Sequence, residues 1–182
     1  MDHRSRQSGA IAEAALSLIL DRGASALTMA AIATTAGISR QTLYRYYPDI
    51  DAVLVGVAEL VASHDDHLEA EVRALPEPAA QLDTIVRAVA TAAGHDNPEA
   101  TALLATLPPK AREVLAQHEA RTTGIVVDIL QTGIDRGIFR AGIEPSADAP
   151  LILGLASAGD PADPGRAITL VHRIVDPQEN PS

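Results

Sequence analysis

The sequence predicts an all-α protein of about nine helices without a β-sheet. Apolar residues recur at spacings of three and four along most of the 182-residue chain, which is typical of helices with one buried face. Ala and Leu are frequent, whereas runs that alternate β-branched and polar residues are missing. Glycine and proline interrupt the periodic stretches and thereby mark where we expect helices to end.

Three short helices are predicted at the N-terminus, at about 7–22, 28–36 and 39–47. Thr28 and Ser39 are suitable N-caps because their hydroxyl groups can accept hydrogen bonds from the first turn of a helix. Gly37 separates the second helix from the third, and Pro48 prevents the third from continuing. We expect residues 1–48 to form one domain, of helix-turn-helix type.

The remainder, 49–182, is predicted to form a second, larger helical domain. Its breaks are mostly prolines, which cannot continue a helix but are well suited to begin one. The expected helices lie at about 50–74, 79–93, 98–105, 110–136, 146–157 and 163–175.

Charge is distributed unevenly along the chain, whose net charge is −10. Residues 1–48 contain five Arg against three acidic residues, a net charge of +2, so the remainder carries −12. A basic N-terminal segment on an acidic body is consistent with a polyanionic partner for that segment, but an excess of +2 is small enough for ordinary scatter of surface charge, so charge alone does not decide between them. Arg4 and Arg6, which we expect on a flexible arm, belong to it.

Several classes of protein find no support in the sequence. The absence of cysteine excludes disulfides, thiolate metal sites and cysteine nucleophiles. No apolar run is long enough for a membrane span, and the first residues do not resemble a secretory signal, so we expect a cytoplasmic protein. Phosphate-binding glycine loops, nucleophile elbows and paired catalytic carboxylates are not evident, and we therefore predict neither an enzyme nor a bound cofactor.

The segment MAAIATTAGISRQTLYRYY has the pattern of two helices joined by a tight turn. Ala33 provides the small side chain that a helix crossing requires, and Gly37 allows a positive φ in the turn. The inward positions are all apolar and are predicted to pack on the first helix: Met29, Ile32, Ala36, Ile38 and Leu43. The outward positions of the second helix can all donate hydrogen bonds, and none is acidic: Ser39, Arg40, Gln41, Thr42, Tyr44, Arg45 and Tyr46. Such a face is suited to the major groove of DNA.

The string GISRQTLYRYYPD, preceded by LTMAAIATTA, resembles the helix-turn-helix of the TetR family of bacterial repressors. The resemblance covers about residues 8–60, and RGIFRAGIEPSADA at 136–149 is a fainter similarity. It implies an all-α homodimer that regulates transcription, most simply as a repressor. Such a dimer binds a palindromic operator in double-stranded DNA and releases it when a small-molecule effector enters the C-terminal domain.

The resemblance also suggests roles for individual residues. Arg40, Gln41 and Thr42 occupy the positions of base-reading residues, and Arg and Gln can pair bidentately with guanine and adenine. Tyr44 and Tyr46 match positions that hold phosphates. Thr28, at a helix N-terminus, should add a backbone N–H contact to phosphate, and Ser39 and Arg45 complete the predicted DNA-binding set.

We expect two residues near the end of the motif, Tyr47 and Ile50, to differ in role from the DNA-contacting residues. Tyr47 matches a position that packs inward as Phe, so we expect its ring in the core and only its hydroxyl at the edge. Ile50 stands where the family commonly has a phosphate-binding Lys, which predicts a shallower salt dependence of DNA binding.

An effector site is expected in the C-terminal domain, between the fourth and the long helix. Its candidate residues are Leu60, His64, Ile125 and Ile129, and the few aromatic residues there favour an aliphatic or small polar-headed ligand. A fully packed core without a ligand is the alternative. The last two helices are predicted to form a four-helix dimer interface through Leu151, Leu153, Leu155, Ile168, Leu170 and Val171.

The sequence admits two further interpretations. His64 and His67 lie one helical turn apart beside Asp65 and Asp66, a spacing that can bind zinc or nickel, but a solvated polar face is favoured and no metal is predicted. The alternative function is a non-enzymatic all-α interaction module whose acidic body binds a basic partner. The basic and phenolic helix at 39–47 argues against it, because such a module would not need that helix.

Overall fold

The computed structural model describes residues 3–92 and 106–177, except for the side chains of residues 3 and 64–66. The described residues form eight α-helices and no β-strand, which confirms the predicted all-α class. The predicted helix at 98–105 lies outside the described residues. The helices are α1 (His3–Arg22), α2 (Met29–Thr35), α3 (Arg40–Tyr46), α4 (Ile50–Ala74), α5 (Pro78–Ala92), α6 (Pro109–Asp135), α7 (Pro145–Ser157) and α8 (Pro164–Val175), with a short 3₁₀ helix at Ala24–Ala26.

Most helix boundaries agree with those predicted, because caps and breakers determine them locally. Helices α5, α6, α7 and α8 each begin with a proline, whose fixed φ suits the first turn and whose missing N–H leaves no bond unmade there. The start of α1 was predicted wrongly, at residue 7 instead of His3. Arg4 and Arg6 are therefore helical rather than part of a flexible arm, since no glycine or proline precedes Gly9 and Arg is a good helix former.

The described residues divide into two compact units, 3–64 with 106–118 and 65–92 with 119–177. The core of the first unit joins α1, α2, α3 and the beginning of α4, with Ile11, Ile32, Leu43 and Val53 fully buried. Burial of each such side chain contributes about 1.5–3 kcal/mol, so this small core holds the short helices α2 and α3 in place. The division into functional domains at residue 48 remains a prediction.

The core of the second unit is formed where α5 packs against α7 and α8. Its largest fully buried side chains come from five helices and include Val72, Leu82, Leu130, Ile152 and Val171. None of the helices in the described residues is long and apolar enough to cross a membrane.

Candidate nucleic-acid interface

A tight turn from Ala36 to Ser39 joins α2 to α3. Gly37 has φ = 66°, as the sequence predicted, and its N–H donates to the carbonyl of Thr34 at 3.1 Å. The N–H of Ile38 donates to the carbonyl of Ala33 at 3.0 Å. These two bonds form a Schellman motif, which satisfies the last carbonyls of α2 and fixes the direction in which α3 leaves.

Both short helices are capped at their N-termini by the predicted hydroxyl groups. Thr28 Oγ1 accepts a hydrogen bond from the N–H of Ala31 at 3.1 Å, and Ser39 Oγ accepts from the N–H of Thr42 at 3.0 Å. Ser39 Oγ also lies 2.9 Å from Thr42 Oγ1. The hydroxyls of Ser39 and Thr42 are thus engaged in defining the first turn of α3.

The inward faces of the two helices are buried as predicted. Ile32 and Leu43 are fully buried and Ala33 is nearly so, while Met29, Ala36 and Ile38 pack against them at the edge of the cluster. The ring of Tyr47 is also buried, with 8% of the residue exposed, which confirms its predicted place in the core. A seven-residue helix has little stability of its own, so these contacts determine where its outer face points.

The outer face of α3 presents hydrogen-bond donors to solvent. Arg40, Gln41, Tyr44 and Arg45 are exposed, Tyr44 to 53%, whereas Thr42 and Tyr46 are half-buried. Within the described part of the chain, no hydrogen bond or ion pair engages the four exposed side chains. The first turn of α3 contains no acidic residue, and Arg45 lies in its last turn. This face can therefore donate to phosphates and base edges without first breaking an internal bond.

The segment after α3 shows what Ile50 does at the position where the TetR family commonly has a phosphate-binding Lys. Asp49 Oδ1 accepts a hydrogen bond from the N–H of Ala52 at 2.8 Å and so caps α4. Ile50 begins α4 and packs partly buried against the two apolar clusters of the first unit. An apolar side chain at this position contributes to packing and offers no charge for a phosphate.

The candidate effector residues line two different cavities. Leu60 lines a groove of about 620 Å³ in the first unit, formed by α1 and α4. Ile125 and Ile129 line a cavity of about 260 Å³ in the second unit, together with Arg73, Gln81 and Asp128. The side chain of His64 is outside the described residues. Sequence reasoning missed the three polar residues because they are spread over three helices and form no local motif.

The second unit contains a further group of paired charged side chains. Glu69 accepts from Arg73 at 2.8 Å and from Arg121 at 2.5 Å, and these arginines lower the pKa of its carboxyl group, Arg121 most strongly. Among the described residues, no group of three or more His, Cys, Asp or Glu side chains could hold a metal ion.

The last two helices expose part of the predicted dimer face. Leu151, which belongs to the predicted set, is 70% exposed, and Ile174, which the sequence did not assign to this face, is 37% exposed. Leu153, Leu155, Ile168 and Leu170 are partly buried. Val171 was assigned wrongly to this face, because at 1% exposure it belongs to the core of a single chain.

Comparisons with known proteins agree with this geometry. The family model of the bacterial regulatory proteins of the tetR family matches residues 11–57. An uncharacterised HTH-type transcriptional regulator from Mycobacterium bovis is 32% identical over 90 residues, which are 50% of this chain and 44% of the relative. The match thus spans less than half the length of that relative.

Solved structures resemble the fold over nearly the whole chain. A transcriptional regulator from Saccharomonospora viridis in complex with choline has a TM-score of 0.79 at 17% identity, covering 96% of this chain and all of that one. The regulator AibR, in complex with isovaleryl coenzyme A and operator DNA, has a TM-score of 0.71 at 17% identity, covering 90% of this chain and 97% of that one. The family match at 11–57 and the capped α2–turn–α3 geometry identify this segment as a helix-turn-helix similar to that of the bacterial regulatory proteins of the tetR family, and the solved structures resemble the fold of the chain.

Proposed function

We propose that this protein is a transcriptional regulator that binds operator DNA in the cytoplasm through the outer face of α3. The observation that carries the proposal is the set of exposed, unengaged donors on a capped and well-packed helix: Arg40, Gln41, Tyr44 and Arg45. Arg40 and Gln41 read base edges, because each can make two hydrogen bonds to one purine. Tyr44 holds phosphate, and the half-buried Tyr46 and Thr42 contribute at the edge of the contact.

The regulator acts as a homodimer on a palindromic operator. One α3 helix contacts only a few base pairs, which is too few to specify a unique site. Two helices related by a two-fold axis double the number of base pairs that are contacted. The exposed Leu151 and Ile174 on α7 and α8 support pairing of two copies, since burial of large apolar side chains drives association.

A small-molecule effector releases the protein from DNA, so that it acts as a repressor. The cavity of about 260 Å³ between α4, α5 and α6 in the second unit supports a small ligand with an apolar part. Ile125 and Ile129 would contact that part, while Arg73, Gln81 and Asp128 offer polar groups at the rim. The effector can change DNA affinity only by as much as it prefers the non-binding conformation.

Selection of double-stranded DNA from a random library tests the proposal. The protein should enrich a short palindrome and bind it with a Kd of roughly 10 nM or below, weakening steeply as salt rises. The double variant Arg40→Ala/Tyr44→Ala should fold but lose this binding. Arg87→Ala is the matched control, because it removes an exposed arginine from α5 in the second unit.

Two results would contradict the proposal. Failure to enrich any sequence would refute sequence-specific binding and favour the interaction-module alternative. Equal loss of binding in Arg87→Ala would show that net charge, and not the face of α3, determines the affinity.

A further inference from the structure

One cavity of the second unit combines apolar side chains with polar ones, and α6 contributes most of its lining. Its volume is about 260 Å³. Ile125, Asp128, Ile129 and Thr132 of α6 are three or four residues apart, so they share one face of the helix. This face presents a carboxylate and a hydroxyl group beside two isoleucines, and the buried Val72 of α4 adds a further apolar contact. The cavity can therefore hold a small ligand with one apolar end and one polar end.

Each side chain of this cavity that can donate a hydrogen bond already donates one within the protein. Arg73 Nε donates to Glu69 Oε1 at 2.8 Å, and Arg73 Nη2 lies 2.8 Å from the same oxygen. Gln81 Nε2 donates to the carbonyl of Leu75 at 2.7 Å. Thr132 Oγ1 donates to the carbonyl four residues earlier at 2.8 Å, which leaves only its lone pairs for a ligand. The cavity is therefore better supplied with free acceptors than with free donors.

The carboxylate of Asp128 is the charged group of this cavity that has no counter-ion. Asp128 is exposed, and within the described part of the chain no hydrogen bond or ion pair engages its side chain. Arg73, the other charged residue of the lining, is paired with Glu69, which Arg121 shares. The free carboxylate attracts a cation and repels an anion at the same place. The charges of the cavity therefore favour a positively charged ligand.

We propose that the effector of this protein is a primary alkylammonium ion, whose ammonium group binds Asp128 and whose alkyl chain lies against Ile125 and Ile129. A primary ammonium has three N–H donors, and the cavity offers three acceptors: the Asp128 carboxylate, the Thr132 hydroxyl oxygen and Gln81 Oε1. Such an ion is charged at neutral pH, as the side chain of Lys is. The inference rests on the proposed function, because it names the chemical class of the effector.

Isothermal titration calorimetry with n-pentylamine as the probe tests the inference without DNA. The protein should bind pentylamine, whereas 1-pentanol and pentanoate, which have the same chain length but no positive charge, should bind about tenfold more weakly or not at all. Affinity should increase about two- to fourfold for each methylene group from propylamine to pentylamine, because the chain is buried against the isoleucines. Bound pentylamine should also lower the affinity of the protein for the selected palindrome.

Asp128→Asn keeps the size of the side chain and removes its charge. The affinity for pentylamine should fall about three- to tenfold, since the ion pair is exposed to solvent. Glu119→Gln is the matched control, because it removes one negative charge from the opposite face of the same helix and does not line the cavity. Its affinity for pentylamine should equal that of the wild type. Thermal melting of both variants verifies that they are folded at the temperature of the titration.

The outcomes separate the inference from the proposed function. Failure of pentylamine to bind, or equal binding of pentylamine and pentanoate, overturns the inference and leaves the proposed DNA binding standing. Equal loss of affinity in Asp128→Asn and Glu119→Gln also overturns it, because net charge and not this carboxylate would then hold the amine. Binding of pentylamine with unchanged affinity for the palindrome overturns the effector role. A wild-type protein that enriches no palindrome contradicts the proposed function, and calorimetry then still decides whether Asp128 binds the cation.

Discussion

Two glycines of α6 should respond in opposite ways to the same substitution. Gly124 has no atom within 4 Å of the position of an added Cβ, whereas a Cβ at Gly133 would overlap the ring of Phe139 and lie 2.8 Å from its Cγ. The overlap arises from the way the chain turns back at the C-terminus of α6. Gly137 has φ = 69°, and the N–H groups of Ile138 and Phe139 both donate to the carbonyl of Gly133, at 2.8 and 3.1 Å. The chain therefore folds back and presses the phenyl ring onto Gly133.

The expected magnitudes follow from these contacts. Alanine is favoured over glycine inside a helix by about 1 kcal/mol, so Gly124→Ala should stabilise the protein by about that amount. Gly133→Ala gains the same propensity but costs about 1–3 kcal/mol through overpacking. Phe139 cannot move aside easily because it is only 2% exposed. A difference of about 2 kcal/mol between the two variants corresponds to roughly 4–8 °C in Tm for a chain of this size.

Thermal unfolding followed by circular dichroism measures this difference at one fixed protein concentration, because Tm depends on concentration for any protein that self-associates. Gly124→Ala should melt above the wild type and Gly133→Ala below Gly124→Ala by several degrees. Equal Tm values for the two variants would refute the packing of Phe139 on Gly133.

Two further predictions concern a cap and a histidine. Ser39→Ala should destabilise the protein by about 1 kcal/mol, because the N–H of Thr42 loses its acceptor, and Ser63→Ala, whose hydroxyl caps no helix, should change Tm little. Urea unfolding of both variants tests this, and equal losses would contradict it. Burial opposes protonation of His172, but hydrogen bonds to Asp176 at 2.9 Å and Asp83 at 2.7 Å outweigh burial and raise the pKa of its imidazole. The stability that His172 contributes is thus fully present below its ordinary pKa of 6.5 and is lost as pH rises through the raised pKa. His172→Gln should therefore flatten this part of the profile of Tm against pH. An unchanged profile would contradict the raised pKa of His172.

Local signals explain what could be predicted from the sequence. Thr28 and Ser39 were predicted as caps and Gly37 as a positive-φ residue because each of these depends on bonds within about five residues. The exposed face of α3 was predicted for the same reason, since helical periodicity assigns Leu43 inward and Arg40 outward.

Features formed by distant segments could not be predicted in this way. The hydroxyl of Tyr47 meets Ser8 across 39 positions, and His172 meets Asp83 across 89. No short spacing in the sequence indicates such pairs, because they depend on how helices pack. The rim of the second-unit cavity was missed for the same reason, as Arg73, Gln81 and Asp128 come from α4, α5 and α6. The early start of α1 was missed because charged residues at a terminus give no apolar period.

The ratio of affinities for the selected palindrome and for a scrambled duplex, measured at one salt concentration, tests base reading by α3 most directly. For Arg40→Ala the difference in binding free energy that this ratio measures should fall by about 1–3 kcal/mol per site, because the variant cannot make the bidentate hydrogen bonds to a base while phosphate contacts remain. Binding to the scrambled duplex should change little in comparison. A parallel loss of affinity for both duplexes would show that Arg40 contacts only phosphate, and an unchanged ratio with full affinity would show that the face of α3 does not read DNA.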